Sequence, residues 1–183
     1  MQLRLPIEPI DEESTEQVLK PDASDFPVLE EIRSRGEAAF KSPIHFEFQA
    51  VRAGDYIDIR GRFTARVRLC CSRCLSDFSR DVSERFVLTY CPRSLMPEHL
   101  RPGEEAELSE DEINLIPFDG DEIDLLEGFQ EQLVMALPLK ALCRPQCKGI
   151  CPRCGADLNQ GPCGCVDERI DPRLAALAKF KPK

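Results

Sequence analysis

Along the middle of the chain, apolar and polar residues alternate with a period of two. Ile44, Phe46, Phe48 and Ala50 fall on one face, and His45, Glu47 and Gln49 on the other. That is the pattern of a half-buried strand. Ala53-Gly54-Asp55 then predicts a turn. From Tyr56 to Cys71 the alternation is strict. Ile57, Ile59, Phe63, Ala65, Val67 and Leu69 point one way, while Asp58, Arg60, Arg62, Thr64, Arg66 and Arg68 point the other. Gly61 interrupts the apolar row and predicts a bend or bulge. Another strand follows, with Val82, Phe86 and Leu88 inward and Asp81, Ser83 and Arg85 outward; Glu84 falls on the inward side and breaks the pattern. Such segments predict an antiparallel sheet with one face buried and one wet.

The flanks are less regular. Residues 2–7 predict a short edge strand, residues 8–25 an acidic loop, and Val28 to Phe40 only a weak helical pattern. Residues 92–111 hold Pro92, Pro97, Pro102, Gly103 and many acids, and predict an exposed loop. Ile113 to Phe118 predicts a short strand, at an edge because of Pro117, and Asp119-Gly120 a hairpin-type turn. Asp124 is placed to cap a helix, with Glu127 three residues on. Leu126, Phe129, Leu133 and Leu137 form its apolar stripe and Pro138 follows its end, so this helix should pack on the sheet. Asp171-Pro172 predicts the start of a terminal helix. The fold class is α+β: a twisted antiparallel sheet or partial barrel, a packed helix and a C-terminal cysteine-rich zinc-binding module. The expected organisation is a partly flexible segment at 1–40, sheet and helix at 41–139, and the cysteine module with its terminal helix at 140–183.

Charge adds a second pattern. The net charge is −9, which argues against nucleic-acid binding by the whole surface. The charge is uneven, however. Residues 61–95 carry 7 basic and 3 acidic side chains, and residues 140–183 carry 9 and 4, whereas residues 96–139 carry 1 and 13. The row Arg60, Arg62, Arg66 and Arg68 lies on the wet face of the sheet, where it is suited to phosphates or to pairing with Glu47 or Asp81 across the sheet.

Cysteine is the strongest chemical signal. Cys143 to Cys165 reads CRPQCKGICPRCGADLNQGPCGC and holds six of the ten cysteines. Its only apolar side chains besides cysteine are Ile150, Ala156 and Leu158, too few for a core, so a cross-link must hold its shape. No apolar signal segment opens the sequence and no apolar run is long enough to span a bilayer. A reducing cytoplasm and metal-bound rather than disulfide-bonded cysteines are therefore expected. Cys151-Pro-Arg-Cys154-Gly is a C-x2-C turn that supplies half of a tetrahedral zinc site. Cys163 and Cys165 are the preferred other half, with Cys143 and Cys147 as the second choice for one pair. Cys147-x3-Cys151-x2-Cys154 also matches a spacing used by iron–sulfur enzymes, although the large barrel those enzymes carry is not predicted here.

Cys71-Ser-Arg-Cys74 is a second C-x2-C, set between two strands. Three readings stand: a redox pair, a zinc half-site completed by Cys70, Cys91 or the unused C-terminal pair, and a reduced structural pair. As a redox pair the two cysteines would make the chain a thiol–disulfide oxidoreductase. Neither a Ser-His-Asp arrangement nor a phosphate loop is visible, and His45 and His99 are the only histidines.

Four pieces taken in order resemble the YceD family. They are Cys71-Ser-Arg73-Cys74-Leu75 at a strand end; Ile123-Asp-Leu before a helix ending Leu137-Pro-Leu139; Cys143-x3-Cys147-Lys-Gly-Ile-Cys151-Pro-Arg-Cys154-Gly; and Ile170-Asp-Pro-Arg-Leu. The resemblance covers roughly residues 40–183. It implies a non-enzymatic factor linked to accumulation of large-subunit ribosomal RNA, in which Cys71, Arg73, Cys74 and Leu75 form the family signature. The expected partners are ribosomal RNA or a large-subunit ribosomal protein, with no membrane and no small-molecule substrate. Arg60, Arg62, Arg66, Arg68 and Arg73 would contact phosphates, and Arg144, Lys148 and Arg153 would add a second patch. A protein-only adaptor using the acidic segment 98–131 is the remaining alternative.

Overall fold

The computed structural model describes residues 3–11, 14–96 and 115–165. Three long strands dominate it: β3 (Ala38–Ala53), β4 (Tyr56–Cys70) and β5 (Asp77–Pro92). They are antiparallel neighbours, with β4 in the middle. The short strands β2 (Thr15–Leu19) and β6 (Leu115–Phe118) extend the sheet to the order β2-β3-β4-β5-β6, open at both edges. β1 (Arg4–Pro6) and β7 (Glu122–Asp124) form a separate antiparallel pair. Two α-helices, α1 (Pro27–Ser34) and α2 (Leu126–Met135), and two short 3-10 turns, Ala23–Asp25 and Arg93–Leu95, complete the described elements.

The period-two pattern fixes which face is inside. Ile44, Phe46, Phe48 and Ala50 of β3 are buried, as are Ile57, Ile59, Phe63, Ala65, Val67 and Leu69 of β4. Val82, Phe86 and Leu88 of β5 join them, and α2 covers this face with Phe129 and Leu133, both fully buried. Gly54, at φ +63°, sits in the two-residue connection between Ala53 and Tyr56, a conformation that favours glycine.

Four expectations change. Residues 15–19 are an edge strand rather than loop: Thr15 to Leu19 pairs with Ala50 to Phe46. β3 supplies the backbone groups, so the strand forms without an apolar face of its own. Gly61 marks no register shift, because pairing is continuous through it on both sides. It allows a close approach instead: a Cβ there would lie 2.5 Å from the Phe48 Cβ and would strike the Glu47 carbonyl oxygen. β6 runs parallel to β5, so the sheet is not wholly antiparallel. The turn at Gly120 does not make a hairpin either, since β6 joins β5 while β7 joins β1. The terminal helix from Asp171, the Ile170 motif, His99 and most of the acidic loop lie outside the described residues.

Candidate metal centres and the arginine face

The β4–β5 connection is a tight cysteine loop. The Leu75 N–H donates to the Cys71 carbonyl at 2.9 Å and the Cys71 N–H to the Ser76 carbonyl at 2.9 Å, which points Cys71 and Cys74 the same way. Leu75 has φ +60° and is the one described non-glycine residue with positive φ. Segment 143–147, which follows α2, closes on this loop. Cys71 Sγ lies 3.8 Å from Cys147 Sγ, and Cys74 Sγ 3.7 Å from Cys143 Sγ. All four sulfurs are within 4.8 Å of one another. Sulfurs placed tetrahedrally about 2.3 Å from a centre would be separated by about 3.8 Å.

The second cluster repeats the first loop. The Gly155 N–H donates to the Cys151 carbonyl at 2.9 Å and the Cys151 N–H to the Ala156 carbonyl at 2.8 Å, with Gly155 at φ +73°. Cys163 and Cys165, on either side of Gly164, bring their sulfurs within the same 4.8 Å of Cys151 and Cys154. All ten cysteines are free.

The two clusters are tied together. The Ser72 N–H donates to the Ala141 carbonyl at 2.8 Å and the Ile150 N–H to the Arg73 carbonyl at 3.0 Å. The Arg73 Nη1 donates to the carbonyls of Cys147 at 2.8 Å and Pro145 at 3.3 Å. Gly149 lies so close beneath that a Cβ would meet the Arg73 oxygen at 2.9 Å. The guanidinium named above for phosphate contact thus also fastens the module to the sheet.

Electrostatics follow from the loops. Backbone N–H groups, that of Cys143 foremost, hold the Cys71 thiol down at about 6. The N–H groups of Cys154 and Arg153 do the same for Cys151, again to about 6. Burial pushes Cys143 up to about 12, and hydrogen bonding with the Cys154 and Cys163 thiols pushes Cys165 up to about 12. Four thiols this close cannot all ionise without a cation among them.

The sequence-preferred quartet of Cys151, Cys154, Cys163 and Cys165 therefore comes together. The second-choice pair, Cys143 and Cys147, goes to Cys71 and Cys74 instead. The spacing Cys147-x3-Cys151-x2-Cys154 is divided between the two clusters. Cys70 and Cys91 belong to neither. Cys91 is fully buried, and burial raises its thiol pKa. One signal that the first turn is also a half-site was present in the sequence: Cys71-Ser-Arg-Cys74 and Cys151-Pro-Arg-Cys154 share a spacing and an arginine.

The arginines stand on the uncovered face of the sheet. Arg60, Arg62, Arg66 and Arg68 are exposed, and Arg85 of β5 lies opposite Arg62. Three of the row have acidic neighbours: Asp58 at 2.7 Å from Arg60, Glu47 at 3.0 Å from Arg62 and Asp81 at 3.8 Å from Arg66. A groove of about 570 Å³ crosses this face, lined in part by Arg60, Arg62, Arg85, Val18, Glu47 and Val87. Arg144, Lys148 and Arg153 are exposed on the cysteine module.

The family described as "Large ribosomal RNA subunit accumulation protein YceD" matches residues 59–181. An uncharacterised protein of Mycobacterium tuberculosis is 41% identical over 58 residues, 32% of this chain and 28% of the relative. The "Large ribosomal RNA subunit accumulation protein YCED homolog 1, chloroplastic" of Arabidopsis thaliana is 32% identical over 60 residues, 33% of this chain and 19% of that protein. Its namesake in Zea mays is 33% identical over 61 residues, 33% and 21%. The chain therefore spans less than a third of the length of each of these relatives. No solved structure matches.

Proposed function

The chain belongs to the YceD family, and from that premise we propose that it is a non-enzymatic factor in ribosome biogenesis that supports accumulation of large-subunit ribosomal RNA. The names of the plant relatives motivate the biological role. The observation that supports direct RNA contact is the arginine row on the open face of β4, beside a groove and away from the core. Backbone phosphates are the matching chemistry, because guanidinium groups at alternate strand positions present a charged stripe without a shaped base pocket. Arg144, Lys148 and Arg153 extend that charge onto the module. Zinc on Cys151, Cys154, Cys163 and Cys165 would hold the module's shape and take no part in chemistry. The lowered pKa of the Cys71 thiol suits a metal thiolate as well as thiol–disulfide exchange, but its full burial denies an exchange partner access. Among the described residues no helix is long and apolar enough to cross a membrane, and a ribosomal role fits the cytoplasm.

The test is binding to transcribed large-subunit ribosomal RNA across a salt series. Four phosphate contacts give a slope of log K against log salt of about −3. Replacing Arg60, Arg62, Arg66 and Arg68 together by Ala should flatten it. Undetectable binding, or a slope unchanged in the variant, removes the arginine face as the grip. Association with a ribosomal protein that survives nuclease treatment would favour the adaptor reading instead.

A further inference from the structure

We propose that Cys71, Cys74, Cys143 and Cys147 hold a second zinc ion, which clasps the cysteine module to the β4–β5 connection. The site is separate from the quartet within the module and does not depend on the ribosomal reading.

The donor set comes first. Four sulfurs from two segments about seventy residues apart converge at S···S distances of 3.7 and 3.8 Å across the join. Those distances match the edge of a zinc–thiolate tetrahedron, about 3.8 Å. Each of these two contacts links the β4–β5 loop to the module. The arrangement is thus one of convergence on a centre, with Cys71 facing Cys147 and Cys74 facing Cys143.

The backbone gives an independent reason. The Cys71–Ser76 loop has the same pair of hydrogen bonds as the Cys151–Ala156 loop, and Leu75 takes the left-handed place that Gly155 takes in the other. A leucine in that conformation is strained, and such a residue persists only where its surroundings fix it. Leu75 is 62% exposed, so packing of its side chain does not supply the constraint. A ligand that needs Cys71 and Cys74 side by side does.

The surroundings complete the site. The Cys143 N–H points at Cys71 Sγ at 3.4 Å, and the Asn159 side-chain amide at Cys147 Sγ at 3.5 Å. N–H donors aimed at sulfur are what a metal thiolate needs to spread its charge. Asn159 is itself held by Lys148 N–H donating to its Oδ1 at 2.9 Å. Cys71 and Cys147 are 0% and 3% exposed, so one side of the centre is shielded from water, while Cys74 and Cys143 are half-buried. Four-thiolate tetrahedral donors suit zinc or an iron–sulfur centre, and sulfurs all within 4.8 Å of one another fit a single zinc ion. Binding forms four Zn–S bonds and releases the thiol protons to solvent, with no change of oxidation state.

Zinc content of the full chain, purified without added metal, tests this directly. Cys74→Ser is expected to lower the content by one ion per chain, and Cys163→Ser to lower it by one from the other quartet. An unchanged content in Cys74→Ser overturns the clasp, whatever Cys163→Ser does. A loss only in Cys74→Ser keeps the clasp and removes the zinc assigned to the module. Should Cys74→Ser fail to fold, cobalt titration of the metal-stripped natural chain decides: thiolate–cobalt absorption saturating at two equivalents supports two centres. If saturation comes at one equivalent, blocking with a thiol reagent followed by peptide mapping shows which quartet is protected, and reactive Cys71 and Cys147 overturn the proposal.

Discussion

Phe129 of α2 stacks on Phe46 of β3, with ring centroids 4.1 Å apart and planes 9° from parallel. Phe48 and Phe86 meet the same ring edge-on, at 5.5 and 5.3 Å. One helix residue thus contacts aromatic rings on two strands and covers the buried face of the sheet opposite the arginines. Phe129→Ala removes a fully buried ring and should cost about 3–5 kcal/mol. At about 2–4 °C per kcal/mol for a chain of this size, thermal unfolding should fall by roughly 6–20 °C. A fall of only a degree or two would mean that α2 is not part of the core.

A second prediction concerns Gly61, in the middle of the arginine row. The added methyl of Gly61→Ala has no room, because both Phe48 Cβ and the β3 backbone stand in its place. Backbone cannot yield as a flexible side chain can, so the strands must part. Overpacking of this kind costs about 1–3 kcal/mol, to be read from urea unfolding. The same substitution should also disturb the spacing of Arg60 and Arg62, lowering RNA affinity beyond what the stability loss explains.

The parts of the molecule legible in the sequence were those written in local periodicity. Ile57 to Leu69 could be assigned to one face because every second residue is apolar. β2 could not, because Glu16 and Val18 are both exposed and the strand exists through its partner β3 rather than its own side chains. The preferred module quartet lies within fifteen residues and was readable from spacing. The partners of Cys71 and Cys74 were readable only as one choice among Cys70, Cys91 and the unused C-terminal pair, since nothing local says that a loop after β4 will meet residues following α2. The parallel pairing of β6 was hidden for the same reason.

Leu75 gives a prediction with an unusual sign. Glycine in place of an exposed leucine normally destabilises, but here it relieves about 1–2 kcal/mol of left-handed strain. The greater freedom of the unfolded chain takes back about 0.4–1 kcal/mol. Leu75→Gly should therefore leave Tm unchanged or raise it by up to about 6 °C. Leu75→Val should lower it, since a β-branched residue tolerates positive φ less well. If both variants fall equally, the leucine side chain is supplying contacts that its exposure does not suggest.

The arginine row separates binding from stability residue by residue. Arg60, Arg62 and Arg66 have carboxylates within 4.0 Å, whereas among the described residues Arg68 has no ion pair. Exposed pairs of this kind contribute about 0–1 kcal/mol to folding, so no single Arg→Ala change in the row should shift Tm by more than a few degrees. Binding should respond differently. A guanidinium shared with a neighbouring acid must give up that partner to take a phosphate, while Arg68 gives up nothing. Arg68→Ala should therefore weaken RNA affinity more than Arg62→Ala and reduce the salt slope by about 0.7–0.9. Glu47→Gln, which frees Arg62 without moving it, should strengthen binding at low salt. The opposite order of the two arginine variants, with a weakened Glu47→Gln, would place the RNA elsewhere on the chain.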